Sequence, residues 1–185
     1  MREVRAKVAR RAESDLPGCI ACLLAVHEAD GYPSVWPDDV TGFLTPRGFL
    51  CGWIALRDSS VVGHIALCGV DEEADARFVA SSRPRDMPLG EIKRLFVHPA
   101  ARGARIAELL LEAAVREARV RALHPVLDTV VRMQAAMRCY ERNGWRRIAS
   151  SVATWQTASG EHPLLHEYEL PEAALGSASF ERDAL

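Results

Sequence analysis

Residues 91–111, EIKRLFVHPAARGARIAELLL, restrict the fold more than any other stretch of this chain. An apolar run ending in Val97, His98 and Pro99 passes through a turn containing Gly103 and two arginines. It continues as an amphipathic helix whose Ile106, Leu109, Leu110, Ala113 and Ala114 form one apolar stripe. The first N–H groups of such a helix lack intrahelical partners, and the helix dipole adds partial positive charge at that end. A strand leading straight into this turn therefore builds an anion site from backbone, suited to the pyrophosphate of a nucleotide-bearing ligand. The turn is neither of two common phosphate binders, since GxxxxGK[ST] and GxGxxG are both absent.

The rest of the chain predicts strands and helices in alternation. Residues 4–8 read as a short strand, and Asp15 with Pro17 starts an apolar helix reaching about residue 29. GYPSVWP is a loop, and Asp38 is expected to cap a short helix ending near Leu44. Residues 49–56 and 61–70 are β-rich runs joined by RDSS, which reads as an antiparallel hairpin. Residues 71–88 show no sustained period and read as a long loop. After the strand at 92–97 and a helix at 104–120 come a strand at 124–132 and a helix at 134–143, which Gly144 can end in left-handed geometry. Residues 146–156 and 164–170 close the domain as a strand pair, and residues 171–185 read as a weakly ordered tail. Hairpins together with strand–helix alternation imply an α/β (α+β) domain with a mixed sheet.

With 185 residues the chain fits a single domain, placed here at residues 1–170. A net charge of -2 offers no basic field for nucleic acid. CIACLLAV at residues 19–26 is too short to span a membrane, and no signal-peptide core follows Met1, so a soluble cytoplasmic protein is expected. The five cysteines read as small buried hydrophobes, and the six histidines show no metal-ligand spacing, so no metal site is expected.

The segment from Val97 to Ala107 resembles the acetyl-CoA-binding motif of the GNAT family (Gcn5-related N-acetyltransferases), written [QR]xxGx[GA], at Arg102, Ile106 and Ala107, with Val97 and Pro99 matching the strand end. Arg105 stands where the family usually has glycine, so its side chain would either crowd a pyrophosphate or add a guanidinium contact. A second segment, MQAAMRCYERNGW, resembles the family's NxxAxxxYxxxGF at Ala136, Tyr140 and Gly144, with Trp145 for phenylalanine and Met133 for asparagine. The resemblance implies a mostly antiparallel central sheet flanked by helices, whose fourth and fifth strands splay apart to admit acetyl-CoA as cosubstrate. It also implies an N-acetyltransferase working by direct attack in a ternary complex, on a small amine or a protein amine. A homodimer is left open.

Acetyl transfer to an amine requires a neutral nucleophile, stabilisation of the oxyanion and a proton for the leaving thiolate. An alkyl amine of pKa about 10.4 costs roughly 4.6 kcal/mol to present deprotonated at neutral pH. Glu91 is the candidate base and Tyr140 the candidate acid, both from the resemblance, with exposed or packed structural roles as the alternatives. The resemblance assigns the oxyanion to backbone N–H in Leu95, Phe96 and Val97. It assigns the pyrophosphate to Arg102, Gly103, Ala104, Arg105, Ile106 and Ala107, with Gln134 taking over from the asparagine replaced by Met133. Strict alternation would put Glu91, Lys93 and Leu95 on one face of their strand, unless a bulge near Leu95 breaks the count. Tyr32, Trp36, Asp38 and Trp155 are the candidate acceptor-site residues, as carboxylates beside aromatics suited to a cation. The competing readings are a catalytically inactive acyl-CoA-binding regulatory module and a purely structural domain.

Overall fold

Period-two alternation is visible in the way β2 (Phe49–Arg57) divides its side chains. Trp53 and Ala55 enter one hydrophobic cluster and Ile54 the other. The computed structural model describes residues 6–172, apart from the side chains of residues 73 and 74. Seven strands among these residues form one sheet of order β1-β2-β3-β4-β5-β7-β6. They are β1 (Lys7–Arg10), β2, β3 (Ser60–Gly69), β4 (Leu89–Val97), β5 (His124–Val130), β6 (Arg146–Val152) and β7 (Leu164–Glu169). Only β4 and β5 pair in parallel; the other neighbours are antiparallel. The mixed, mostly antiparallel sheet expected from the sequence is present.

One face of the sheet carries α1 (Leu16–Asp30) and α2 (Val40–Leu44), whose Cys19, Cys22, Leu23, Val26 and Leu44 pack on Ile54 and Phe96. The other carries α4 (Ile106–Val120) and α5 (Gln134–Arg142), with Ile106, Leu110, Leu111 and Tyr140 packed on Ile65, Leu67 and Tyr168. Each fully buried aliphatic side chain stabilises this sandwich by roughly 1.5–3 kcal/mol. The β2–β3 hairpin turns on Asp58 (φ 49) and Ser59 (φ 65), whose two positive φ angles match the right-handed twist of the strands. Gly144, at φ 82, ends α5 in the left-handed geometry anticipated for it. Among the described residues no helix is long and apolar enough to cross a membrane.

Two features position the site. First, β4 and β5 pair only from Leu89↔His124 to Ile92↔Leu127. Beyond that, β4 continues beside β3 to Val97 while β5 continues beside β7 to Val130, so the two strands part. Second, β4 places two residues between Lys93 and Phe96 where β3 places one between His64 and Ala66, and Arg94 takes φ 55. This bulge breaks the strict alternation: Leu95 packs with Ile92 on the α4 side, and Phe96 turns to the α1 side.

Several boundaries differ from those expected. The first strand runs Lys7–Arg10 rather than over residues 4–8, of which 4 and 5 lie outside the described residues. Residues 71–88 are more than a loop, because they contain α3 (Glu72–Asp75) and a 3-10 turn, Ala76–Phe78. Phe78 is fully buried against Leu89 and Val126. The Arg83 guanidinium closes the segment on Asp75 at 2.6 and 2.7 Å, and Ser82 N–H donates to Glu169 Oε2 at 2.7 Å. The anchors on Val126 and Glu169 are long-range, so no local period announced them. The expected tail lies, from residue 173 on, outside the described residues.

Candidate active site

At the end of β4 a 3-10 turn, Pro99–Ala101, leads into Gly103 (φ 80) and Arg105 (φ 56), the residue before α4. Leu109 N–H donates to Arg105 O at 3.1 Å and opens the helical ladder, so the amides of Ile106, Ala107 and Glu108 stand at the free helix start. A Cβ at Gly103 would meet nothing within 4 Å, which leaves room for an anion against the backbone. Left-handed geometry costs a residue other than glycine roughly 1–2 kcal/mol, a physical reason for glycine to be favoured at the Arg105 position. The Arg105 side chain turns outward and pairs with Glu108 at 2.8 Å. The Arg102 guanidinium holds both oxygens of Asp30, the last residue of α1, one of them at 3.1 Å. Gln134 donates to Val131 O at 3.1 Å, while Met133 begins α5 without a side-chain cap.

Where β4 and β5 part, charged side chains span the opening. Arg77, on the 3-10 turn, donates to Asp128 Oδ2 at 2.5 Å and to Glu91 Oε1 at 3.0 Å. Lys93 Nζ takes the other Glu91 oxygen at 2.8 Å. Glu91 is therefore buried, 2% exposed, with one cation on each oxygen. Asp128 is the residue of β5 immediately past the last parallel pair.

Tyr140 reaches the same opening from the α5 side. It packs against Tyr168 and Trp145 at 5.9 and 6.3 Å between ring centroids. Burial pushes its phenol well above the ordinary value, and Tyr32 and Asp128 push the same way. Tyr140 belongs to the α4–α5 layer and Tyr32 to the α1–α2 layer, on opposite faces of the sheet. Burial also raises the Tyr32 phenol, against the pull of the adjacent Arg94 guanidinium. Arg94 donates from Nε to Phe43 O at 3.0 Å and lies 3.8 Å over the Phe43 ring.

His64 supports the bulge from β3. Its Nδ1 lies 3.0 Å from Arg94 O, which can only accept, so Nδ1 carries the proton and Nε2 accepts from Arg11 Nη1 at 3.0 Å. Burial lowers its pKa to about 4, with Arg11 and Arg94 acting in the same sense and the bond to Arg94 O opposing them. The ring stacks on Phe96 at 5.2 Å. Because His98 N–H donates to Val62 O at 2.9 Å, alternation turns the Val97 N–H away from β3 and into the opening.

The structure thus brings Glu91, Tyr140, Tyr32 and the amides of β4 to one opening, with the helix start of α4 beyond its end. Trp36 lies in the α1 cluster, 5.2 Å from the His27 ring. Asp38 is exposed, and Asp39 caps α2 instead, accepting from Gly42 N–H at 2.8 Å. Trp155 is exposed between β6 and β7. Sequence reasoning missed Arg77, Arg94, Asp128 and His64. Asp128 and His64 carried a signal, each as a titratable residue inside an otherwise apolar β run.

The family model for the acetyltransferase (GNAT) family matches residues 21–145. No curated protein matches the sequence. Among solved structures, NAA60 of Arabidopsis thaliana in complex with acetyl-CoA is similar with TM-score 0.68 at 17% identity, covering 89% of this chain and 97% of that one. A ribosomal-protein-alanine N-acetyltransferase from Brucella melitensis reaches TM-score 0.66 at 21% identity, over 88% and 98% of the two chains. An N-acetyltransferase from Staphylococcus aureus reaches 0.67 at 14% identity, over 90% and 98%. At these identities the likeness is one of fold.

Proposed function

The chain belongs to the acetyltransferase (GNAT) family, whose cosubstrate is acetyl-CoA, and from that premise we propose that it transfers the acetyl group to a primary amine by direct attack in a ternary complex. The observation that carries this reading is the parting of β4 and β5 beyond Ile92↔Leu127, with the free helix amides of α4 past one side. The amine nitrogen bonds to the thioester carbonyl carbon, the carbon–sulfur bond breaks, one proton leaves the nitrogen and one reaches the sulfur.

Within this proposal the amides of residues 102–107 and the Arg102 side chain hold the pyrophosphate, and backbone N–H in the 95–97 stretch receives the oxyanion. Tyr140, kept protonated by its burial, gives its proton to the thiolate. Glu91 takes the amine proton through a water, because its carboxylate is enclosed between Arg77 and Lys93. Asp128, held by the same arginine, is the second carboxylate able to do so. Tyr32, Trp36, Asp38 and Trp155 face the acceptor, which is a small amine or a protein amine. A domain ending at residue 170 and a cytoplasmic setting belong to the same proposal.

A second reading, an acyl-CoA-binding regulatory module without turnover, is favoured by Arg105 and Met133, which depart from the family pattern in the two motif segments. Calorimetric titration with acetyl-CoA, followed by an amine panel with thiol-release detection, separates the two. Binding with release from one amine class is expected. Binding with no release from any amine would support the regulatory module, and no binding would remove both. Glu91→Gln and Asp128→Asn then show which carboxylate sets the acid limb of the rate profile.

A further inference from the structure

The side chains around the opening divide by charge. At the point of parting stand Glu91 of β4 and Asp128 of β5 with two cations, Arg77 and Lys93, and Glu167 of β7 adds a third carboxylate beside Asp128. Glu167 faces Asp128 directly in the β5–β7 register, so both side chains leave the same face of the sheet. Ser151 Oγ donates to Glu167 Oε1, but Oε2 has no partner although the residue is 0% exposed. An unmet carboxylate oxygen in such a place costs about 1–3 kcal/mol or more, and a ligand carrying N–H donors would relieve it.

At the bulge of β4, beside α2, the balance is reversed. Arg94 spends Nε on Phe43 O, lies flat on the Phe43 ring and touches the Tyr32 hydroxyl, and among the described residues it has no carboxylate partner. The ring fixes the plane of the guanidinium, and a planar fork of this kind matches the two oxygens of a carboxylate. The two sides lie close together, since Arg94 is two residues past Ile92 and Asp128 one past its partner Leu127, where the parallel pairing of β4 and β5 ends. A plain polycation would leave Arg94 unpaired and be repelled by it.

We propose that the acceptor is an amine bearing a carboxylate a few bonds from its nitrogen, bound with the nitrogen toward Asp128 and Glu167 and the carboxylate on Arg94. A free amino acid supplies this chemistry, and so does a peptide amino terminus followed by an acidic side chain. The inference rests on the acetyl-transfer reading.

The test measures thiol release by the full chain, at saturating acetyl-CoA, from free amino acids and their α-carboxamides, and from Ala-Asp and Ala-Asn peptide amides. The best carboxylate should exceed its amide by about 30-fold or more in kcat/KM, the size of a hydrogen-bonded charge contact. Arg94→Gln should bring that ratio toward one, and Arg94→Lys should restore part of it. A ratio cancels the concentration of active enzyme, so partial misfolding of a variant cannot imitate the effect. Which pair discriminates tells the free amino acid from the peptide. Equal rates for acid and amide, or a ratio indifferent to Arg94→Gln, would overturn the inference. If acetyl-CoA binds but no amine releases thiol, the transfer reading fails. Thermal shifts of the CoA complex with N-acetyl amino acids and their amides then decide the site itself, and equal shifts overturn it.

Discussion

Tyr140 and His64 show how burial sets the chemistry of single residues here. The Tyr140 phenol is only 6% exposed, and its hydroxyl is the proton donor of the proposed reaction. Tyr140→Phe should lower kcat about 100- to 10,000-fold, the usual worth of a positioned acid. Acetyl-CoA affinity by calorimetry should change far less; an unaltered kcat would assign Tyr140 to packing. For His64, the folded pKa of about 4 lies below the ordinary value of 6.5. Between those two values the unfolded chain binds more protons, so stability rises with pH. The His64 contribution is complete above about pH 6.5 and is lost as pH falls toward 4, up to roughly 3 kcal/mol in all. Glu169 adds to acid sensitivity in the same direction. Burial raises its carboxyl, but hydrogen bonds from Arg146, Ser82 and His124 outweigh that and hold it low. Urea titrations at pH 7 and pH 5 on the parent and His64→Asn isolate the histidine, whose share of the loss should vanish in the variant. At this scale the sequence displayed Tyr140 and Glu91 through their motif positions, but nothing near His64 said that its partner would be the carbonyl of a bulge thirty residues away.

Among the elements, the segment between β3 and β4 shows local pattern giving way to long-range anchoring. Its sequence is acidic and aperiodic, and the burial of Phe78 against Leu89 and Val126, with the ties made by Ser82 and Arg83, explains why it is ordered enough to aim Arg77 at Glu91 and Asp128. Phe78→Ala should cost about 3–5 kcal/mol. It should also speed tryptic cleavage after Arg77 and Arg85 under native conditions. A cleavage rate equal to that of the parent would mean that the ion pairs hold the segment by themselves. Strand β4 shows the complementary case. Its existence and its run into α4 were legible from residues 92–97 and the turn after them. The bulge at Arg94 was not, because a positive φ at an arginine has no local signature. Asp39 replacing Asp38 as the cap of α2 is a smaller instance, since two adjacent aspartates offer the same oxygen and the chain path chooses between them.

For the molecule as a whole, the parted strands tie ligand binding to stability, because acetyl-CoA would bridge elements from both faces of the sheet. A ligand at a hundredfold excess over its Kd stabilises the folded state by about 2.7 kcal/mol. At roughly 2–4 °C per kcal/mol for a chain of this size, the Tm should rise by about 5–10 °C with saturating acetyl-CoA. Desulfo-CoA, which keeps the pyrophosphate, should give most of that shift, and no shift with either would count against the anion site at residues 102–107. The sequence by itself determined the succession of strands and helices, the turn that frees amides before α4, and the family, because each rests on patterns a few residues long. Tertiary structure alone decided which charges meet: the pairing of Arg77 with Glu91 and Asp128, the bulge held by His64, and the placing of Glu167 beside Asp128. These partners lie tens of residues apart, and only strand register and the packing of both layers on one sheet bring them within reach.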